Sequence, residues 1–377
     1  MPESISQRIG ILGGGQLGRM LIQSGIDFNI NFSVLDPDAT APCNTISDFT
    51  QGKLSDYQTV IDFGSACDLI TIEIENVNVV ALKELVKQGK KVFPQPEVIE
   101  LIQDKRIQKE FYKANGIPTA EFILTTNRQE VIDNKSFLPA VNKLGREGYD
   151  GRGVQLLRTE ADLARAFDAP GLLEKWVDFD KEIAVMVARS ESGEVVSYPA
   201  VEMVFHPTAN LVEYLFSPAA ITSQIAAEAD SIARSIIEKL GMIGLLAVEM
   251  FVTKEGKVLV NEVAPRPHNS GHQTIEANTT SQYEQHLRAI LNFPLGSTDA
   301  YLPSAMVNLL GEEGYSGEAK YAGLEEVLGV SGTHVHLYGK RMTKSFRKMG
   351  HVTIVDGDIE SLKKKANFVK QTLKVVA

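Results

Sequence analysis

Cysteine is almost missing from the chain. Cys43 and Cys67 are the only two in 377 residues, and neither stands in a metal-ligand spacing or a disulfide framework. Disulfide-stapled and cysteine–zinc architectures are therefore excluded, and a reduced, cytoplasmic compartment is expected. A basic excess is missing too. The 38 Lys and Arg against 48 Asp and Glu leave a net charge of −10, which argues against a general nucleic-acid binder. It leaves room for an anionic small-molecule substrate held by local cations. No apolar run is long enough to cross a bilayer: the longest, about Met242 to Val252, is broken by Gly244 and Glu249. The opening MPESISQRIG lacks the basic stretch and apolar core of a secretion signal, so none is expected. Repeats and low-complexity linkers are absent. What is present is an apolar content of 44% and a charged content of 23%, enough for several packed cores. The length predicts two or three domains.

The first hundred residues alternate strand and helix patterns. Residues 9–15 read as a strand entering a glycine turn and 16–25 as a helix; FSVLD (32–36), LITIEIE (69–75) and KVFP (91–94) read as further strands. That alternation predicts a parallel sheet with crossover helices, ending near Pro94–Pro96. A single helix is expected over VIELIQDKRIQKEFYKANG, stopped by Asn115-Gly116. From Pro118 to about Val177 a strand, a glycine-rich loop and a second strand follow. After Gly296 the chain is β-rich and closes on the helix IESLKKKANFVKQTL.

The segment Val260 to His272, VNEVAPRPHNSGH, concentrates a carboxylate, an arginine and two histidines. Upstream, two apolar runs flank Lys254-Glu255-Gly256-Lys257 and predict a β-hairpin. With Glu255-Gly256 as a two-residue loop, Glu249 faces Glu262. Like charges side by side repel, and a shared Mg²⁺ that also holds phosphate oxygens relieves them. The alternative is a solvated hairpin with two surface glutamates.

Four other stretches carry chemistry. ILGGGQLGRM places Gly13, Gly15 and Gly18 between a strand and a helix, with Asp36 ending the next strand. This reads as a nicotinamide-dinucleotide turn, as a packing turn, or as a phosphoribosyl site. NKLGREGYDGRGVQ has four glycines beside Lys143 and Arg152, and can fold over a triphosphate; it is not a P-loop. LLEKWVDFDKEIAV sets Glu174 to Val177 at the end of one strand and Glu182 at the start of another, fit either for a nucleoside or for solvent. HLYGKRMTKSFRKMGHVTI gathers Lys340, Arg347 and Lys348 between two strands of an acidic chain, as an anion pocket or a solvated turn.

Taken together, GGGQLGRM, TIEIENV, GYDGRG, NEVAPRPHNSGH and the closing GK…RKMGH resemble, in that order and over about residues 8–360, the N5-carboxyaminoimidazole ribonucleotide synthase family of ATP-grasp ligases. The resemblance implies an α/β chain in three parts. These are a Rossmann-like domain (1–100), an ATP-grasp domain (101–296) with a mobile glycine-loop lid at about 118–177, and a small β-rich C-terminal domain (297–377). It implies that ATP, bicarbonate and 5-aminoimidazole ribonucleotide give N5-carboxyaminoimidazole ribonucleotide, ADP and phosphate on a homodimer with Mg²⁺. Lys105 and Lys143 then contact ATP phosphates under a loop of Gly148, Tyr149, Asp150, Gly151, Arg152 and Gly153. Glu174, Lys175 and Val177 line the adenine and Glu182 holds the ribose. Glu249 and Glu262 bind the metal beside Asn261. Arg266, His268 and Asn269 hold bicarbonate and the carboxyphosphate made from it. Gln16, Leu17 and Glu73 meet the ribonucleotide, Tyr149 and Asp150 approach its aminoimidazole, and Lys340, Arg347 and Lys348 grip its 5′-phosphate. Asp150 is the expected base. Three positions depart from the family pattern: Gln273 replaces a Trp, Met203 and Phe205 stand where Asn-x-His is usual with His206 one place later, and Phe346 replaces a Gly.

The competing expectations are a nicotinamide-dependent oxidoreductase, resting on the first glycine turn and Asp36; a formate-dependent glycinamide ribonucleotide transformylase within the same superfamily; and a non-catalytic ATP-binding regulator. The first leaves the paired glutamates and PRPHNSGH without a role.

Overall fold

Strand and helix patterns of the first hundred residues close into a five-stranded parallel sheet. A computed structural model describes residues 7–146, 153–205 and 211–377. The strands are β1 (Arg8–Leu12), β2 (Asn31–Asp36), β3 (Asp48–Gln51), β4 (Leu69–Ile72) and β5 (Lys91–Val92), in the order β3-β2-β1-β4-β5. Helices α1 (Gln16–Ile26), α2 (Tyr57–Ser65) and α3 (Val79–Lys87) make the crossovers. β1 lies between β2 and β4, so the strand order reverses there and a crevice opens at the carboxyl ends. The strand expected over 69–75 stops at Ile72. The Glu73 carboxylate turns instead toward the start of α1, where it accepts from the Leu17 N–H.

The helix expected over 98–116 is two helices, α4 (Pro96–Ile102) and α5 (Lys105–Ala114). Asp104 breaks it: extended at φ −122° and ψ 108°, it accepts from the Arg106 N–H as the N-cap of α5. Its carboxylate also takes Arg106 Nη2 at 2.7 Å and Arg146 Nε at 3.2 Å. The break places Lys105 in the first turn of α5, where its N–H donates to the Gly145 carbonyl.

A four-stranded antiparallel sheet follows, made of β6 (Phe122–Thr125), β7 (Ala140–Leu144), β8 (Val154–Leu157) and β9 (Gly171–Lys175), with α6 (Arg128–Asp133) over it. The largest sheet begins with β10 (Phe179–Arg189), β11 (Val195–Ser197), β12 (Val201–Phe205) and β13 (Val212–Ser217). After α7 (Ser223–Leu240) come β14 (Gly244–Thr253) and β15 (Val258–Ala264), then α8 (Thr274–Ala277) and α9 (Gln282–Ile290). Its apolar face packs on α7 through Val248, Met250, Val260 and Val263 against Ile232, Ile236 and Ile237.

β16 (Ser304–Leu310) pairs with β13 and carries the same sheet into the closing region. There β17 (Ser316–Glu318), β18 (Lys320–Ala322), α10 (Leu324–Leu328), β19 (Thr333–Leu337), β20 (Met342–Lys344), β21 (Lys348–Val355), α11 (Ile359–Thr372) and β22 (Lys374–Val376) follow. The full order is β15-β14-β10-β12-β13-β16-β21-β19, with β11 beside β10. Among the described residues no helix is long and apolar enough to cross a membrane.

Candidate functional site

The hairpin β14–β15 brings Glu249 opposite Glu262, as the sequence pattern implies, but by a different route. Its loop is not the expected two-residue turn. Thr253 and Lys257 close a three-residue loop with Gly256 at φ +81°, the left-handed value that glycine takes freely. The register then slips by one between Met250↔Val260 and Glu249↔Glu262, leaving Asn261 as a β-bulge. Without it, the alternation of Val258 and Val260 would send Glu262 into the apolar core. The bulge puts Asn261 and Glu262 on the same side of the strand. Both meet cations there: Lys105 Nζ donates to Glu262 at 2.8 Å, and Lys143 Nζ to Asn261 Oδ1 at 3.1 Å.

Electrostatics divide the acid pair. Lys105 holds the Glu262 carboxyl below the usual range, outweighing burial. Burial pushes Glu249 up, and the charges of Glu262 and Glu182 push it further. Glu182 is itself raised to about 7, by burial first and the Glu262 charge second. Among the described residues no three acidic, histidine or cysteine side chains are grouped to hold a metal by themselves, so a cation here would rest on the facing pair Glu249 and Glu262. Two carboxylate oxygens with phosphate oxygens are the donor set magnesium takes, so Glu249 and Glu262 fit it.

Glu174 was expected along an adenine. Its side chain is instead buried between two ammonium groups, Lys109 at 2.7 Å and Lys143 at 3.2 Å. Burial opposes its ionisation, but the two lysines outweigh burial and hold the carboxyl below its ordinary range. Lys109 also donates to Thr119 Oγ1. Lys175 Nζ donates to the carbonyls of Phe137 and Leu138 at 3.0 and 3.4 Å, so its ammonium braces the β6–β9 sheet. Val177 is half-buried in the link from β9 to β10. At this crossing the Lys175 and Trp176 N–H groups donate to the Glu121 and Pro139 carbonyls at 2.8 and 3.1 Å.

Beyond β15, Arg266 forms a two-point ion pair with Glu75, Nε–Oε1 2.8 Å and Nη2–Oε2 3.1 Å, and its Nη1 donates to the Pro267 carbonyl. Glu75 stands just past β4, so this pair ties the first sheet to the hairpin. His268 Nδ1 lies 2.8 Å from Ser270 Oγ and 3.5 Å from Glu249 Oε1. Asn269 is buried and exchanges amide hydrogen bonds with Asn308 at 2.9 Å each way. Glu75, Lys109 and Asn308 were not singled out from the sequence. Glu75 lies in the quoted TIEIENV, and only its contact with a residue nearly two hundred positions away gives it a role.

The first glycine turn is full. A side chain at Gly13 or Gly15 would meet the carboxylate of Glu73, which lies against the start of α1 and accepts from the Leu17 N–H at 3.2 Å. Asp36 spends one oxygen on the Gly14 N–H at 2.7 Å and the other on Asp38 at 2.8 Å. The helix N-terminus that would cradle a dinucleotide pyrophosphate thus holds an internal carboxylate, and the ribose-binding acid is engaged. The nicotinamide expectation fails on this geometry. Burial pushes Glu73 up to about 7; Arg266 most and Lys340 less pull it back. Leu17, Glu73 and Lys340 are thereby brought near one another at the start of α1, the helix that Gln16 begins.

Lys340 Nζ donates to the Lys348 carbonyl at 2.8 Å and lies 5.6 Å from the centre of the Tyr338 ring. The charge of Lys348 opposes the rise of Glu249, but less than burial, Glu262 and Glu182 drive it. Arg347 Nη1 donates to the Met342 carbonyl at 2.6 Å. Phe346, where the family pattern has glycine, takes a left-handed backbone at φ +64°, the value glycine adopts freely. Gln273 is buried, and Met203 and Phe205 lie on β12. Of the second glycine stretch, Gly145 accepts from the Lys105 N–H and Gly153 has a left-handed φ of +70°. Gly148, Tyr149, Asp150, Gly151, Arg152 and His206 lie outside the described residues.

Comparison with known proteins gives three family matches. The ribonucleotide synthetase preATP-grasp domain matches residues 6–103, the ATP-grasp domain 110–283, and the phosphoribosylaminoimidazole carboxylase C-terminal domain 304–365. The N5-carboxyaminoimidazole ribonucleotide synthase of Synechococcus elongatus is 38% identical over 92% of the chain and 89% of its own length. Fungal and plant phosphoribosylaminoimidazole carboxylases match as well, and the chain spans 65–70% of the length of four of them, from Ogataea methanolica, Vigna aconitifolia, Saccharomyces cerevisiae and Candida glabrata. The crystal structure of the Thermotoga maritima N5-carboxyaminoimidazole ribonucleotide synthetase superposes with a TM-score of 0.90 at 43% identity, covering 98% of this chain and 99% of that one. The Aspergillus clavatus synthase in complex with ADP and 5-aminoimidazole ribonucleotide superposes with a TM-score of 0.88 at 32% identity, over 98% of this chain and 100% of that one.

Proposed function

The chain belongs to the N5-carboxyaminoimidazole ribonucleotide synthase family of ATP-grasp enzymes, and we propose that it carboxylates the exocyclic amine of 5-aminoimidazole ribonucleotide with bicarbonate and ATP, releasing ADP and phosphate. The step belongs to purine biosynthesis. The observation that carries this reading is the facing pair Glu249–Glu262 with Lys105 and Lys143 beside it. Mg²⁺, bicarbonate as the carboxyl source, a homodimeric state and a cytoplasmic location are parts of the same proposal.

Bicarbonate is a poor electrophile. A bicarbonate oxygen attacks the γ-phosphorus, ADP leaves, and carboxyphosphate carries a carboxyl carbon that the amine can attack as phosphate departs. Glu249 and Glu262 would hold Mg²⁺, which when bound neutralises charge on the triphosphate. Lys105 and Lys143 contact phosphates and Asn261 steadies Lys143. Glu174 positions Lys143 from behind, while its backbone, with Lys175 and Val177, faces the adenine and Glu182 the ribose. Arg266, His268 and Asn269 hold bicarbonate and its phosphorylated form. Gln16, Leu17 and Glu73 meet the ribonucleotide; Lys340, Arg347 and Lys348 take its phosphate. Gly148, Tyr149, Asp150, Gly151, Arg152 and Gly153 cover the phosphates and exclude water. Asp150 accepts the proton that the amine loses.

Release of ADP from ATP and Mg²⁺ tests the reading, with and without the ribonucleotide, in buffer stripped of CO₂ and then supplied with bicarbonate. ADP should form at full rate only with both. Stimulation by formate instead of bicarbonate would select the transformylase.

A further inference from the structure

Asn308, His351 and His336 lie directly opposite one another on β16, β21 and β19. Side chains on one rung of an antiparallel sheet leave the same face. The segment after Arg266 crosses that face, and its residues Asn269, His272 and Glu276 meet the rung members in turn. Asn269 and Asn308 exchange hydrogen bonds at 2.9 Å. The rings of His272 and His351 lie 4.6 Å apart. His336 Nε2 pairs with Glu276 Oε1 at 2.6 Å. Within the rung, His336 stacks on His351 with centres 4.5 Å apart and planes 10° from parallel.

Asn269, Asn308, His272 and His351 are all buried. Aliphatic side chains would fill this seam without a desolvation cost, but they would tolerate sliding. Here the two ends of the row are hydrogen-bonded, Asn308 to Asn269 and His336 to Glu276, while His351 at the centre is held by ring contacts and leaves Nε2 without a hydrogen-bond partner among the described residues. Such directional contacts fit one register and resist sliding. On the proposed function, the row also joins the groups that hold two different reactants, bicarbonate on one side and the ribonucleotide phosphate on the other. Asn269 directly follows His268 and lies three positions after Arg266. On the other side, Tyr338 OH pairs with His351 Nδ1 at 3.0 Å, and Lys340 lies over the Tyr338 ring.

We propose that the Asn308–His351–His336 rung is a positioning device that fixes the anion-holding segment Arg266–Asn269 relative to the phosphate-gripping Lys340 and Lys348. The amine of a phosphate-anchored ribonucleotide then meets the activated carboxyl before water does. The proposal rests on the carboxylation reading. Its residues touch no reacting atom; they act through Asn269 and Tyr338.

The test compares Asn308→Ala and His336→Ala with His336→Gln, which keeps a donor for Glu276. For each variant four quantities are measured: carboxylated product per ADP, KM for ATP, KM for the ribonucleotide, and melting temperature. Loss of alignment at the reacting centre should lower product per ADP about tenfold in both alanine variants and raise KM for the ribonucleotide. KM for ATP should stay unchanged, and His336→Gln should retain the native ratio. ADP and product falling in step would mean a merely structural role and overturn the proposal. So would native behaviour of folded His336→Ala; this half-buried site carries the test if Asn308→Ala does not fold. If the unaltered chain forms no ADP with ribonucleotide and bicarbonate, the carboxylation reading falls first and the proposal with it.

Discussion

A carboxylate buried between two ammonium groups cannot be neutralised without stranding a charge in the interior. Glu174 is in that position, with Lys109 on one oxygen and Lys143 on the other. Removing one partner of a buried pair costs far more than the pair's net worth. Glu174→Gln should therefore lower the unfolding free energy by about 3 kcal/mol, read as a shift in the urea midpoint. A role limited to adenine contact would raise KM for ATP and leave the midpoint alone. Glu262 separates the same way from residues that only bind. Glu262→Gln removes the partner of Lys105 and, on the proposed function, an oxygen for Mg²⁺, and should cut ADP formation by about a hundredfold or more. Arg347→Ala should mainly raise KM for the ribonucleotide with kcat kept, since the proposed function sets it on the 5′-phosphate, a part of the substrate that does not react. Glu262 was legible because a hairpin pattern and a motif agreed on it. The counter-ion role of Glu174 was not, because it depends on Lys109, a lysine on a helix face with no local signal.

At the scale of elements, the β14–β15 hairpin shows what patterning conveys and what it hides. The apolar runs and Gly256 fixed the hairpin and the pairing of Glu249 with Glu262. They did not reveal that a three-residue loop and a bulge at Asn261 offset one another. The bulge has a trace in VLVNEV, where inward valines at 258 and 260 are followed by one at 263 rather than 262. Gly256 has open space around it, so the cost of a methyl group there is backbone alone. Gly256→Ala should destabilise by about 1 kcal/mol through its positive φ and leave KM for ATP unchanged. A loss of ADP formation out of proportion to that small change would show that the loop itself sets the acid pair. The helix over 98–116 was misread for a related reason: propensity runs through Gln103 and Asp104, and only the N-cap geometry of Asp104 shows the break.

For the molecule as a whole, one buried imidazole joins the first sheet to the largest. His286 on α9 accepts the Leu245 N–H at Nδ1, 3.1 Å, which leaves Nε2 to donate to Thr71 Oγ1 at 2.9 Å. Neutral imidazole satisfies both contacts, and protonation would break the first. Burial accordingly pushes His286 down to about 3. In the unfolded chain its value returns to about 6.5. Below that pH the unfolded state takes up a proton that the folded state refuses, so the contribution of His286 is full above 6.5 and shrinks as pH falls toward 3. Glu73 and Glu182, raised to about 7, act in the opposite sense between about 4.5 and 7. The pH profile of the unaltered protein therefore mixes the two effects, and a difference measurement separates them. His286→Gln keeps one donor and one acceptor but no titrating group. Its stability deficit, measured by urea unfolding, should be largest near pH 8 and narrow by about 2 kcal/mol by pH 5. A deficit that stays constant across that range would mean that His286 titrates alike in both states, and that the seam between the two sheets does not depend on its neutral form.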